Sequence, residues 1–112
     1  MKFFRPQILG IVNITEDSFS DGGLYLNYDQ ALEKSLKLIE EGADIIDLGA
    51  ASSNPAAKEI EPQEEINRLK PVIDNLLARN ISLSIDSFKP EVQRYALENK
   101  VQYLNDIQGF PY

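Results

Sequence analysis

The chain has 112 residues, enough for one domain or a piece of one, with both charge signs interspersed and an apolar share ordinary for a soluble protein. Its net charge of −7, from 18 acidic and 11 basic residues, argues against a nucleic-acid surface, which needs a basic stripe; a small anionic ligand stays open, because a few local donors can hold one. Without cysteine or histidine, the chain has no disulfide, thiol nucleophile or cysteine metal site, and any general acid or base it supplies must be a carboxylate, Lys or Tyr.

Met1 to Pro6 contains Lys2 and Arg5 but no apolar stretch, so it does not read as a signal peptide. No apolar run reaches the length of a membrane span, and a cytoplasmic protein with no membrane partner is the expectation. Ile8 to Asn13 is a short apolar run rich in β-branched residues and ending in a polar one, which predicts a strand buried on both faces. Thr15 to Asn27 is dense in Asp, Ser and Gly and predicts a long loop, in which Asp17 to Gly23 is either a lid or a plain Asx-rich surface turn. Asp29 to Glu41 predicts a helix with Leu32, Leu36 and Ile39 on one stripe, capped by Asn27 or Asp29 and closed by Gly42 in the left-handed conformation.

Asp44 to Leu48 predicts a second buried strand, followed by a loop from Gly49 to Glu61. Pro62 suits the first turn of a second helix, with Glu64 and Glu65 near the positive end of its dipole and Ile66, Leu69, Ile73 and Leu77 at helical spacing. Pro71 should kink that helix or split it in two. Ile81 to Asp86 predicts a third strand in which Ser82 and Ser84 alternate with apolar residues, small enough to face a barrel interior. Pro90 to Asn99 predicts a third helix with Val92, Tyr95 and Ala96 inward, and Val101 to Asp106 a fourth strand.

Alternating strands and helices without a hairpin signal imply a parallel α/β sheet, either doubly wound or a (β/α)₈ barrel. The first βα turn lacks the glycine pattern of a dinucleotide fold, and the units read as the N-terminal half of a TIM barrel, forming one domain over residues 1–112. The strands end in Asn13, Asp47, Asp86 and Asn105 with Asp106, polar groups that a parallel barrel gathers at one mouth. Lys89 is either an anion contact or an exposed lysine without a role.

Four ordered stretches carry a resemblance. ILGIVNITEDSFSDGG from Ile8, EEGADIIDLGAASSNPAA from Glu40, SIDSFKPEV from Ser84 and YLNDIQGF from Tyr103 resemble the successive signatures of dihydropteroate synthases, and the AASSNP and NDIQGFPY wording is most similar to the sulfonamide-resistant Sul-type members. The resemblance implies a TIM barrel that condenses a dihydropterin diphosphate with p-aminobenzoate, with Mg²⁺ as cofactor, small molecules as partners and a homodimeric full-length form. It implies Asn13 as the Mg²⁺ and pyrophosphate ligand, Asp86 and Asn105 as the catalytic, pterin-binding pair, Ser53 at the usual Thr position, and Phe19 and Pro55 in the p-aminobenzoate pocket. Asn54 stands where the family has Arg, so phosphate binding by that loop needs another group; Glu16 stands where Pro is common. The family's later strands would follow Tyr112, which marks the chain as a fragment in this reading. Two other readings are a methyltetrahydrofolate methyltransferase on the same barrel, against which the DSFSDGG loop argues, and a truncated product without activity.

Overall fold

The computed structural model describes residues 7–14, 27–50, 61–87 and 89–105. Seven elements alternate: β1 (Leu9–Ile14), α1 (Tyr28–Glu40), β2 (Ile45–Ala50), α2 (Pro62–Ala78), β3 (Ser82–Asp86), α3 (Pro90–Glu98) and β4 (Tyr103–Asn105). The strands form one parallel sheet in the order β1-β2-β3-β4. A doubly wound sheet reverses direction and places helices on both faces. Here each crossover moves the same way, and residues of all three helices join the strands in a single core. This is the order of successive units of a barrel.

One sheet face meets the helices. Val12 and Ile14, Ile46 and Leu48, and Leu83 and Ile85 pack there against Leu69, Val72, Ile73 and Leu76 of α2 and Val92 and Ala96 of α3. Gly10 faces the same layer, where an added Cβ would lie 3.0 Å from Leu38 Cδ1, so the missing side chain lets α1 close on β1. The opposite face carries Leu9, Ile11 and Asn13 on β1, Asp47 and Gly49 on β2, Ser82, Ser84 and Asp86 on β3, and Tyr103 and Asn105 on β4, since laterally paired residues of a parallel sheet share a face. Ile11 and Tyr103, on the edge strands, are exposed, whereas Asp47 and Ser84, flanked by strands on both sides, are buried.

Local chemistry sets the helix ends. The Asn27 side chain accepts from the Gln30 N–H while the Gln30 side chain accepts from the Asn27 N–H, a reciprocal capping box for α1. All three helices stop alike. Gly42, Asn80 and Lys100 adopt positive φ of 114°, 62° and 67°, and the next N–H, of Ala43, Ile81 or Val101, donates back to Leu38, Leu76 or Ala96. That is the Schellman closure, and it delivers an apolar residue toward the next strand. Only Gly42 was legible as such a stop; Asn80 and Lys100 take the same conformation against the usual preference for glycine.

One expectation is corrected and one is refined. Pro71 does not split the second helix, which runs unbroken from Pro62 to Ala78; Pro71 lies on the exposed side while Leu69, Val72, Ile73 and Leu76 anchor the other side in the core. The α1 stripe centres on small residues: Ala31 and Ser35 are fully closed off, with the Ser35 hydroxyl donating 2.7 Å to the Ala31 carbonyl, and Leu32, Leu36 and Ile39 flank them half-buried. No helix among the described residues is long and apolar enough to cross a membrane.

Lys100→Gly should raise stability by about 1 kcal/mol in urea denaturation, because glycine adopts positive φ without strain; an unchanged midpoint would contradict the left-handed stop. Tyr95 gives a second test. Its hydroxyl is buried without a hydrogen-bond partner, and burial first, then the charge of Asp74, pushes it above its ordinary 10.0, against the pull of Lys70. A raised phenol favours the folded state in its neutral form. That contribution is complete below pH 10 and is lost as pH climbs through the raised value. Tyr95→Phe should abolish this alkaline loss and match or exceed the parent's stability at pH 7 by about 1 kcal/mol, as read by denaturation at both pH values.

Candidate active site

The sheet register sets a row of residues across the C-terminal ends of the strands. Asn13 pairs with Gly49, Gly49 follows Leu48, which pairs with Ile85, and Asp86 pairs with Asn105. The row is therefore Asn13, Gly49, Asp86 and Asn105, all on the face away from the helices. An ideal Cβ on Gly49 would stand 3.3 Å from Asn13 Oδ1 and 3.7 Å from both Cβ and Oδ2 of Asp86. The amide oxygen and the carboxylate thus lie on two sides of one small gap. Asn13 is half-buried and Asp86 exposed, so the carboxylate is open to a solute.

Below this row lies Asp47, 2% exposed, level with Ile11 and Ser84. It is too enclosed to be the primary contact of a solute. Asn105 is placed by its backbone register beside Asp86. Phe19, Ser53 and Pro55, the lid from Asp17 to Gly23, and Asn54 lie outside the described residues.

A second feature was missed. Lys89, just before α3, is no exposed lysine: its ammonium sits 2.8 Å from Glu65 Oε1 in the first turn of α2, with side-chain exposures of 12% and 6%. The turn that carries it is tied down as well. Ser87 Oγ accepts from the Lys89 N–H at 3.2 Å, and the Ser87 carbonyl accepts from Gln93 Nε2 at 2.8 Å. These bonds tie Lys89 to the first turn of α2 and Ser87 to Lys89 and Gln93 at the start of α3. Glu65 was legible only as a complement to the α2 dipole; its partner lies on another unit, where helical periodicity carries no signal. The site thus has an edge of Asn13 and Asp86, and a buried ion pair joins Lys89, three residues after Asp86, to the first turn of α2. Such an edge can accept N–H groups from a flat heterocycle and offer hard oxygen ligands to a cation.

Residues 9–112 match the family model of the pterin binding enzymes. The chain is 64% identical over 106 residues to the type-3 dihydropteroate synthase of Escherichia coli, covering 95% of this chain and 40% of that protein. It is 58% identical over 104 residues to the type-2 dihydropteroate synthase of Escherichia coli, covering 93% and 38%. The structure of Xanthomonas albilineans dihydropteroate synthase with 4-aminobenzoic acid superposes with a TM-score of 0.76 at 46% identity, over 93% of this chain and 39% of that one. The chain thus spans about 40% of the length of the relatives it matches.

Removing one partner of a buried ion pair strands the other charge, at a cost of about 3–5 kcal/mol, while replacing both with apolar residues is close to neutral. Lys89→Met should therefore lower stability by about 3 kcal/mol, and Glu65→Leu added to it should recover most of the loss. Urea denaturation of the single and double variants checks this, and a single variant as stable as the parent would refute it.

Proposed function

The chain belongs to the pterin-binding enzyme family, and we propose that it supplies the first βα units of a dihydropteroate synthase, which joins (7,8-dihydropterin-6-yl)methyl diphosphate to p-aminobenzoate and releases pyrophosphate. The observation that carries this is the convergence of Asn13 and Asp86 on the gap at Gly49, with Asn105 next in register. The similarity to dihydropteroate synthases supports the choice of reaction.

The chemistry follows from the side chains. The 2-amino-pyrimidinone edge of a pterin presents adjacent N–H donors beside a carbonyl. An ionised Asp86 accepts two parallel N–H bonds, and Asn105 supplies both a donor and an acceptor for the remaining positions. As the pterin methylene loses pyrophosphate it gains positive charge, and the fixed carboxylate of Asp86 favours that charge as it develops. The amine of p-aminobenzoate is nucleophilic once oriented, so the absence of histidine from the chain is no obstacle.

The donor set at the row fits Mg²⁺. This ion takes hard oxygen ligands, keeps several waters and binds mainly through substrate phosphates, so the Asn13 amide oxygen would suffice as this chain's ligand and the Asp86 carboxylate stays with the pterin. When bound there, Mg²⁺ would neutralise charge on the leaving pyrophosphate. In the same proposal Phe19 and Pro55 line the p-aminobenzoate pocket, and Ser53, at the family's usual Thr position, is a substrate-binding residue. The Ala50 to Pro55 departure from the family wording underlies a further part of it, weakened sulfonamide binding. The full-length form is proposed as a cytoplasmic homodimer.

Asp86→Asn should weaken pterin binding by about 10- to 100-fold, the worth of a charged hydrogen bond, without lowering the unfolding midpoint, since the side chain is exposed. Fluorescence titration with pteroic acid measures the first and thermal denaturation the second. Parent-like affinity in Asp86→Asn would refute the assignment. In the full-length enzyme, methyl transfer from methyltetrahydrofolate without p-aminobenzoate incorporation would replace it with the methyltransferase.

A further inference from the structure

Gly49 stands in the row between two polar side chains, and no role for it follows from the pterin and metal contacts above. Its backbone does not need glycine: among the described glycines only Gly42 has positive φ. A glycine inside a strand weakens it by leaving nothing to pack and by its larger entropy loss. Close packing explains Gly10, whose added Cβ would strike Leu38 and Ile46 in the helix-facing core. At Gly49 the crowding lies on the other face: an added Cβ would point away from the helices and meet Asn13 Oδ1 at a tight 3.3 Å and Asp86 Cβ and Oδ2 at 3.7 Å. The space that a side chain would fill is bounded by the two groups that face a ligand.

We infer that Gly49 is a specificity-determining residue: its bare backbone is the floor on which a planar heterocycle lies while Asp86 takes the ring's N–H edge and Asn13 faces its anionic arm. The inference rests on the pterin reading of the site. A ring seated on the strand comes to carbon–carbon contact at roughly 3.5–4 Å. A methyl group in the gap would lift the ring off that level and tilt its N–H groups away from the carboxylate, where hydrogen bonds weaken steeply with angle. It would also press on the Asn13 amide, the other wall of the gap. The floor selects flat, unsaturated bicyclic rings over puckered ones, which cannot lie against a strand while keeping both N–H bonds in plane.

Gly49→Ala and Gly49→Val in the 112-residue chain, titrated with pteroic acid and unfolded thermally, test the floor. The expected result is a loss of affinity of about 10-fold for Ala and more for Val, on the scale of one or more misplaced carbons in a shaped pocket. The unfolding midpoint of Gly49→Ala should equal or exceed the parent's, because alanine suits an ordinary strand conformation better than glycine. Parent affinity in both variants would overturn the floor alone and leave the pterin reading intact. Loss of affinity that comes with a lower midpoint in Gly49→Ala would also overturn it, since the glycine would then serve the sheet. A parent chain that binds no pterin, with or without Asp86→Asn, would remove the reading beneath it.

Discussion

Side chains alternate across a strand, so a slip of one residue in any of the three strand pairings would turn Asn13, Asp86 or Asn105 from the open face into the helix-covered one. The lateral register is thus the constraint on which the site depends. It is enforced from the other side of the sheet. Val12, Ile14, Ile46, Leu48, Leu83 and Ile85 are apolar and fully enclosed, and a shifted strand would push them into water while drawing polar residues into the core. The burial that holds the sheet together therefore also aims its polar residues.

The same economy runs through the connections. Each helix closes with a left-handed residue and returns its next N–H to the last turn, so each following strand starts at a defined point. At the functional end, the Lys89–Glu65 pair and the Ser87 bonds tie the residues after Asp86 to two helix starts. An ion pair so enclosed adds little net stability compared with apolar packing. Its consequence is geometric: it holds Lys89, three residues after Asp86, against the first turn of α2.

Much of this was legible in advance wherever the signal was local. The alternation of elements, the Asn27 cap, Gly42 as a stop and Pro62 as a first-turn residue depend on neighbours within a few positions, and each is found in the structure. The places where local reasoning failed share one cause. Pro71 is expected to kink its helix or split it, and the split does not occur: the core contacts of Leu69, Val72, Ile73 and Leu76 outweigh the missing backbone bond. Lys89 gave no hint of burial, because its partner sits in another βα unit. Ala31 and Ser35 proved more enclosed than the leucines beside them, because close approach of α1 to the sheet rewards small residues at the line of contact.

Taken alone, the amino-acid sequence determined a parallel α/β chain with polar strand ends and the motifs of a pterin-binding family, because element type and motif identity are properties of short stretches. Alternation by itself allowed a doubly wound sheet or a barrel, and the motifs implied the barrel. Strand order bears the barrel out, and strand order is a matter of which distant segments exchange hydrogen bonds. The gap at Gly49 belongs to the same class. Asn13, Gly49 and Asp86 are far apart along the chain and become neighbours only when three parallel strands lie side by side at about 4.8 Å.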